Sequence, residues 1–288
     1  MRILVTGADG QLGMSLRKIA AEYPAHDFIF TNLPGTDITD RAVMEKAARE
    51  ISPDALINCA AYTAVDRAES EPHAAEKLNI SGPEILASLA VKYGFTLAHL
   101  STDYVFNGRS CLPYSETDAP DPLNVYGVTK LEGERAIELS GADAVVLRTS
   151  WLYSEFGGNF VKTMLRLAGE GKEINVVHDQ TGSPTYATDL AHAIMVLLEK
   201  KEKGFRLYNY TGADSITWYG FARRIFSIAG KGVVVNPIAS SDYPAVARRP
   251  AYSALDTGLV KKMGLEIRPV EVSLGECLRA LDFSVEAV

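Results

Sequence analysis

Met1-Arg-Ile-Leu-Val-Thr-Gly7-Ala-Asp-Gly10-Gln-Leu-Gly13 decides the fold. Ile3-Leu4-Val5 is an unbroken apolar run, the pattern of a parallel strand covered on both faces. After the glycines, Leu12, Leu16, Ile19 and Ala20 recur at helical spacing. Strand, Gly7-x-x-Gly10-x-x-Gly13 and helix therefore follow in the order that a dinucleotide-binding turn requires. The glycines allow a sharp turn, a close backbone approach to a pyrophosphate, and tight helix–strand packing. The helix start, with Gln11 and Leu12, offers free N–H groups and the positive end of a dipole to the phosphates. The plainer alternative is an ordinary βα turn rich in glycine.

Outward from this turn, strand and helix patterns alternate through the first half of the chain. Strands are expected at Arg2–Thr6, Asp27–Thr31, Ala55–Asn58, Thr96–Ser101 and Ala144–Thr149. Helices are expected at Gln11–Glu22, Arg41–Ile51, Ala74–Lys92 and about Asn124–Leu139, then near Asp189–Lys200, Trp218–Ala229 and the C-terminus. The alternation predicts an α/β fold, a Rossmann-type doubly wound parallel sheet. Beyond residue 150 loops dominate, so a smaller, interleaved C-terminal substrate lobe is expected at 151–288. The dinucleotide domain would cover 1–150 and be completed by elements near 186–210.

Composition excludes more than it assigns. With 288 residues, 47% of them hydrophobic, the chain can bury a large core. A net charge of −7 argues against nucleic acid or an anionic membrane as the main partner. No apolar run reaches membrane-spanning length, and the first residues form a strand rather than a signal peptide. Cys59, Cys111 and Cys277 show no paired spacing, which predicts neither disulfides nor structural zinc. The histidines have no ligand spacing, so no metal site is expected. A cytoplasmic location follows as an expectation.

In such sheets, ligands bind beyond the carboxyl ends of the strands. Asn32 ends the second strand where an acidic residue would favour NAD, and no Arg follows to hold a 2′-phosphate, so NADPH and NADH both stay open. Asp37 and Ile38 suit the adenine edge, although Asp37 equally suits a helix cap. Ala60 and Ala61 let the chain pass close under a cofactor, and Tyr62 and Asn79 join the same group. Tyr126-Gly-Val-Thr-Lys130 places a phenol and an ammonium on one helical face. The cation would lower the phenol's pKa, and Thr102, at the end of the fourth strand, would hold a substrate oxygen. Asp66 reads as part of a solvated helix start. Arg249 suits either a phosphate or a surface turn.

The glycine motif together with Thr102, Tyr126 and Lys130 resembles the extended short-chain dehydrogenase/reductase superfamily. The resemblance tightens with Ser101-Thr-Asp-Tyr-Val-Phe106, Arg148-Thr-Ser-Trp-Leu-Tyr153, His178-Asp-Gln-x-Gly-x-Pro-Thr185 and Arg249-Pro-x-x-Ser253. It implies an NADPH- or NADH-dependent oxidoreductase that reduces the C4 keto group of a dTDP-linked 4-keto-6-deoxy sugar. In it Tyr126 donates the proton, Thr102 orients the carbonyl, and Lys130 also holds the nicotinamide ribose. It further implies that Trp151 packs on the sugar, that Asp103 and Asn159 line its pocket, and that Arg249 approaches the diphosphate. Some members bind magnesium through glutamates at a dimer interface. Here Gly13-Met14-Ser15 has no carboxylate at the corresponding place, so a magnesium bridge is not expected, while a homodimer assembled in another way stays open. The competing readings are a non-catalytic NAD(P)-binding regulatory subunit, like the β-subunit of methionine adenosyltransferase, and a reductase or epimerase of another sugar nucleotide.

Overall fold

The computed structural model describes residues 1–171 and 173–283. Strands β1 (Arg2–Thr6), β2 (Asp27–Thr31), β3 (Ala55–Asn58), β4 (Thr96–Thr102) and β5 (Ala144–Thr149) lie where the apolar runs place them. With Phe205–Asn209 they form one six-stranded sheet, in the order Phe205–Asn209, β5, β4, β3, β1, β2. Every pairing in it is parallel. The direction of winding reverses between β1 and β3, which opens a crevice above their carboxyl ends.

Alternate side chains serve opposite faces. Ile3, Val5, Ile57 and Ala98 share a core with Leu16 of α1 (Gln11–Ile19) and Leu190 of the Ala187–Glu199 helix. Leu4, Leu56, Leu97 and Val146 share the other core with Met44 of α2 (Arg41–Ile51) and Leu86 of the Gly82–Tyr93 helix. Both faces are dry, so the strands read as continuous apolar stretches. A further core joins Val161, Met164, Phe221, Ile225 and Leu274, from the helices Phe160–Gly169, Trp218–Ile228 and Val270–Ala280. Of the expected 151–288 lobe, residue 172 and residues 284–288 lie outside the described residues. Among the described residues, no helix is long and apolar enough to cross a membrane.

Two helix expectations need correction. Gln11–Glu22 is helical only to Ile19 and tightens into a 3-10 turn over Ala20–Glu22. Ala74–Lys92 divides into Pro72–Glu76, a π turn at Lys77–Ser81, and Gly82–Tyr93. Asn79, inside the π turn, exchanges hydrogen bonds with the Tyr62 backbone and donates to Thr129 Oγ1. Those tertiary bonds accompany the wide turn, a feature often found beside functional sites.

Candidate active site

Gly7 has φ +64°, and a Cβ there would lie 2.6 Å from Ala60 N, so the end of β1 presses directly on the chain leaving β3. A Cβ on Gly13 would lie 2.4 Å from Ala8 Cα, which seats α1 against the turn. Gly10 caps α1 without a side-chain hydrogen bond. The first N–H groups of α1, including those of Gln11 and Leu12, thus have no side-chain acceptor, a cradle suited to a pyrophosphate.

The side chains around this cradle are already engaged. Gln11 Oε1 accepts from Ser154 Oγ and from Asn159 Nδ2, both at 3.0 Å. Leu12 is buried, so only its backbone is available. Asn32 Oδ1 accepts from the Asp9 N–H at 3.0 Å, which ties the end of β2 to the glycine turn. Asp37 accepts from the N–H and hydroxyl of Thr39, and these bonds hold its carboxyl below the usual range. Asp40, rather than Asp37, caps α2. Ile38 turns its side chain into the core against Gly82, which leaves its backbone for an adenine edge.

Tyr126 and Lys130 lie in the early turns of the Val125–Leu139 helix, capped by Asn124, whose Oδ1 accepts from the Gly127 N–H at 2.8 Å. A Cβ on Gly127 would sit 2.2 Å from Tyr104 O, so this helix start packs closely on the turn after β4. In that turn Thr102 Oγ1 accepts from the Tyr104 N–H at 3.2 Å and donates to Asp103 Oδ1 at 3.1 Å. Burial pushes the Tyr126 phenol up to about 12, while the Thr102 hydroxyl pulls the other way. Burial likewise raises Asp103 to about 7. Asp103 Oδ2 has no hydrogen-bond partner.

Lys130 departs from expectation. Its Nζ donates to Leu100 O at 2.5 Å and lies 3.2 Å from His99 Nε2, so it is occupied by β4 rather than by the phenol. Burial lowers its pKa to about 8, and Glu134, one turn further on, works in the opposite direction. Glu134 takes a bidentate pair from Arg148 of β5, at 2.9 and 2.6 Å, with both side chains almost fully buried.

The remaining candidates are placed as follows. Ala60 donates its N–H to Asn58 Oδ1, and Ala61 continues the same passage toward Tyr62. The Tyr62 hydroxyl donates to Glu71 Oε2 at 2.6 Å. Trp151 has φ +47° and stacks on Trp218, with ring centroids 3.4 Å apart and planes within 7°. Asn159 caps the Phe160–Gly169 helix and its amide clasps Gln11. Arg249 is bound to Asp66 at 2.6 Å, and this pair holds the aspartate down at about 2. Asp66 lies in the first turn of the Val65–Ala68 helix, as expected of a helix start, and it is paired as well as partly solvated. Sequence reasoning did not join Asn58 to His99, His99 to Lys130, Trp218 to Trp151 or Glu134 to Arg148, since each encounter depends on strand register or on residues distant in sequence. Among the described residues, no three His, Cys, Asp or Glu side chains gather as a metal site would need.

The family described as RmlD substrate binding domain matches residues 1–283. A dTDP-4-dehydrorhamnose reductase of Aggregatibacter actinomycetemcomitans is 40% identical over 276 residues, covering 92% of this chain and 94% of the relative. The crystal structure of a dTDP-4-dehydrorhamnose reductase from Clostridium acetobutylicum superposes with a TM-score of 0.94 at 38% identity, over 98% of this chain and 100% of that one. The Bacillus anthracis dTDP-4-dehydrorhamnose reductase, solved in complex with NADP, follows at TM-score 0.92 and 37% identity, covering 97% and 99%.

Proposed function

Because the chain belongs to the RmlD substrate binding domain family, we propose that it reduces the C4 keto group of dTDP-4-dehydro-L-rhamnose to give dTDP-L-rhamnose. The gathering of Thr102, Tyr126 and Lys130 beside the Gly7–Gly13 cradle carries the reading. Residues 1–150, with the Ala187–Glu199 helix and the Phe205–Asn209 strand, serve the cofactor, and the rest serves the sugar. Gly7, Gly10, Gly13 and the first N–H groups of α1 hold the pyrophosphate. Bound nicotinamide, as NADPH or NADH, supplies the hydride. The uncharged Asn32 neither repels a 2′-phosphate nor demands a free 2′-hydroxyl, so it selects neither cofactor.

Thr102 Oγ1 holds the C4 oxygen against the Tyr126 phenol, a positioning role. As the C4–H bond forms, the carbonyl electron pair moves onto oxygen, which takes the Tyr126 proton. A phenol raised to about 12 gives up that proton only if its anion is compensated. Lys130, one turn further along the same helix, is the cation that does so once it leaves Leu100 O. The half-buried Trp151, stacked on Trp218, would pack on the deoxy sugar, and Asp103 would line its pocket. Arg249, held by Asp66, takes no step in this scheme.

The test is NADPH absorbance with purified chain and the keto-sugar nucleotide. Tyr126→Phe should lower kcat by on the order of 10²–10⁴, the worth of a positioned acid. A wild-type chain that consumes no cofactor, or a Phe variant with full turnover, refutes the reading.

A further inference from the structure

Thr6, Asn58 and His99 are register partners on β1, β3 and β4, so their side chains point to one face of the sheet. All three are nearly inaccessible, as is Lys130, which meets them from the Val125–Leu139 helix. The Ala60 N–H donates to Asn58 Oδ1 at 3.1 Å, and Thr6 Oγ1 donates to the same oxygen at 2.8 Å. A backbone N–H can only donate, so the orientation of the Asn58 amide is settled by its partner. Asn58 Nδ2 therefore donates to His99 Nδ1, at 3.1 Å. A neutral imidazole that accepts at Nδ1 carries its proton on Nε2. That N–H lies 3.2 Å from Lys130 Nζ. An ammonium has no lone pair to receive it, so the row holds one donor too many whenever Lys130 is charged at this place.

We propose that His99 is a positioning residue for the proton-transfer site: its Nε2–H, fixed by Asn58, drives the charged Lys130 off the sheet toward Tyr126. At the sheet Lys130 rests as the amine, accepting from His99 and donating to Leu100 O. The proposal rests on the reductase reading, since it assigns a control to that site. The other groups that bear on Lys130 are Glu134 on its own helix, neutralised by Arg148 from β5, and Tyr126 and the buried Asp103 near the carboxyl end of β4. Burial keeps His99 neutral, consistent with the single-proton imidazole the row requires.

Two measurements test it. In full-length chain labelled with ¹⁵N-histidine at pH 7, His99 should carry its proton on Nε2, with Nδ1 bare. A proton on Nδ1, or on both nitrogens, overturns the proposal without touching the reductase reading. In the second measurement, kcat/KM is followed against pH for wild type, His99→Met and Asn58→Asp. The Met variant removes the donor. The Asp variant accepts a proton from Nδ1 and so leaves Nε2 to accept from the ammonium. Each should move the alkaline limb upward by about one pH unit, because the lysine charge is no longer opposed. A role confined to packing would lower activity at every pH and leave the limb in place, and that result refutes the proposal. Should either variant fail to fold, the wild-type tautomer still decides. Absence of turnover in the wild type would instead sink the reductase reading.

Discussion

Asp103 offers a test in which the magnitude follows from the site. Its carboxyl is 2% exposed and one of its oxygens has no partner, so desolvation dominates and its pKa stands at about 7. In the unfolded chain an aspartate titrates near ~3.9. Between those values the native state holds a proton that the unfolded state has released, so this group lowers stability as pH rises through the window. Above the folded value both states are ionised and the penalty stays constant. From pH 5 to pH 8 the chain crosses about two units of that window, at about 1.4 kcal/mol each, or about 3 kcal/mol. Asp103→Asn removes the titration while keeping the shape and the acceptor for Thr102. Relative to wild type, the variant should therefore gain about 3 kcal/mol on going from pH 5 to pH 8. Any fixed cost of the amide cancels in that comparison. Urea unfolding at the two pH values measures it, with stability read from midpoint and slope. A relative stability that stays constant to within about 0.5 kcal/mol, or that falls with pH, refutes the account of a desolvated carboxyl.

Other consequences are as direct. Gly13→Ala would drive a Cβ to 2.4 Å from the Ala8 backbone, so α1 must shift. NADPH affinity, by calorimetry, should fall at least about tenfold, since N–H groups placed for a pyrophosphate move with the helix. Glu134→Gln leaves the buried Arg148 guanidinium without its counter-charge and should cost about 3–5 kcal/mol in denaturant unfolding. The joint change Glu134→Leu with Arg148→Met should recover most of that loss, because paired apolar replacements remove the orphan. Asn32→Asp brings a carboxylate toward the adenosine ribose and should shift the NADH-to-NADPH ratio of kcat/KM by about tenfold or more toward NADH. An unchanged ratio would place the 2′ position elsewhere.

The sheet was readable in the sequence because burial on both faces leaves unbroken apolar runs, and β1, β2, β3 and β5 begin and end as those runs do. The glycine turn was readable for a steric reason, since Gly7 and Gly13 face backbone where a Cβ has no room. What escaped depends on encounters between distant residues. The π turn at Lys77–Ser81 goes with bonds from Asn79 to Tyr62 and Thr129 that no local pattern announces. Trp151 meets Trp218, and Arg249 meets Asp66, only once the chain has folded back. Lys130 was placed on the correct helical face, yet its partners, Leu100 O and His99, belong to a strand whose register had to be known first.

The buried row Thr6–Asn58–His99 also constrains redesign of this protein. A hydrophobic replacement at any one of these positions strands the donor or acceptor of its neighbour in a dry core, at about 1–3 kcal/mol for each orphan. The row therefore behaves as a single unit of inheritance, with positions 6, 58 and 99 tied together although they are far apart in the chain. A stabilising core design that scores substitutions one at a time will reject each of the three, while an apolar triple of matched volume would leave only the Ala60 N–H without its acceptor. The same triple would leave Lys130 with Leu100 O but without His99, so robustness and control of the lysine charge compete for these side chains.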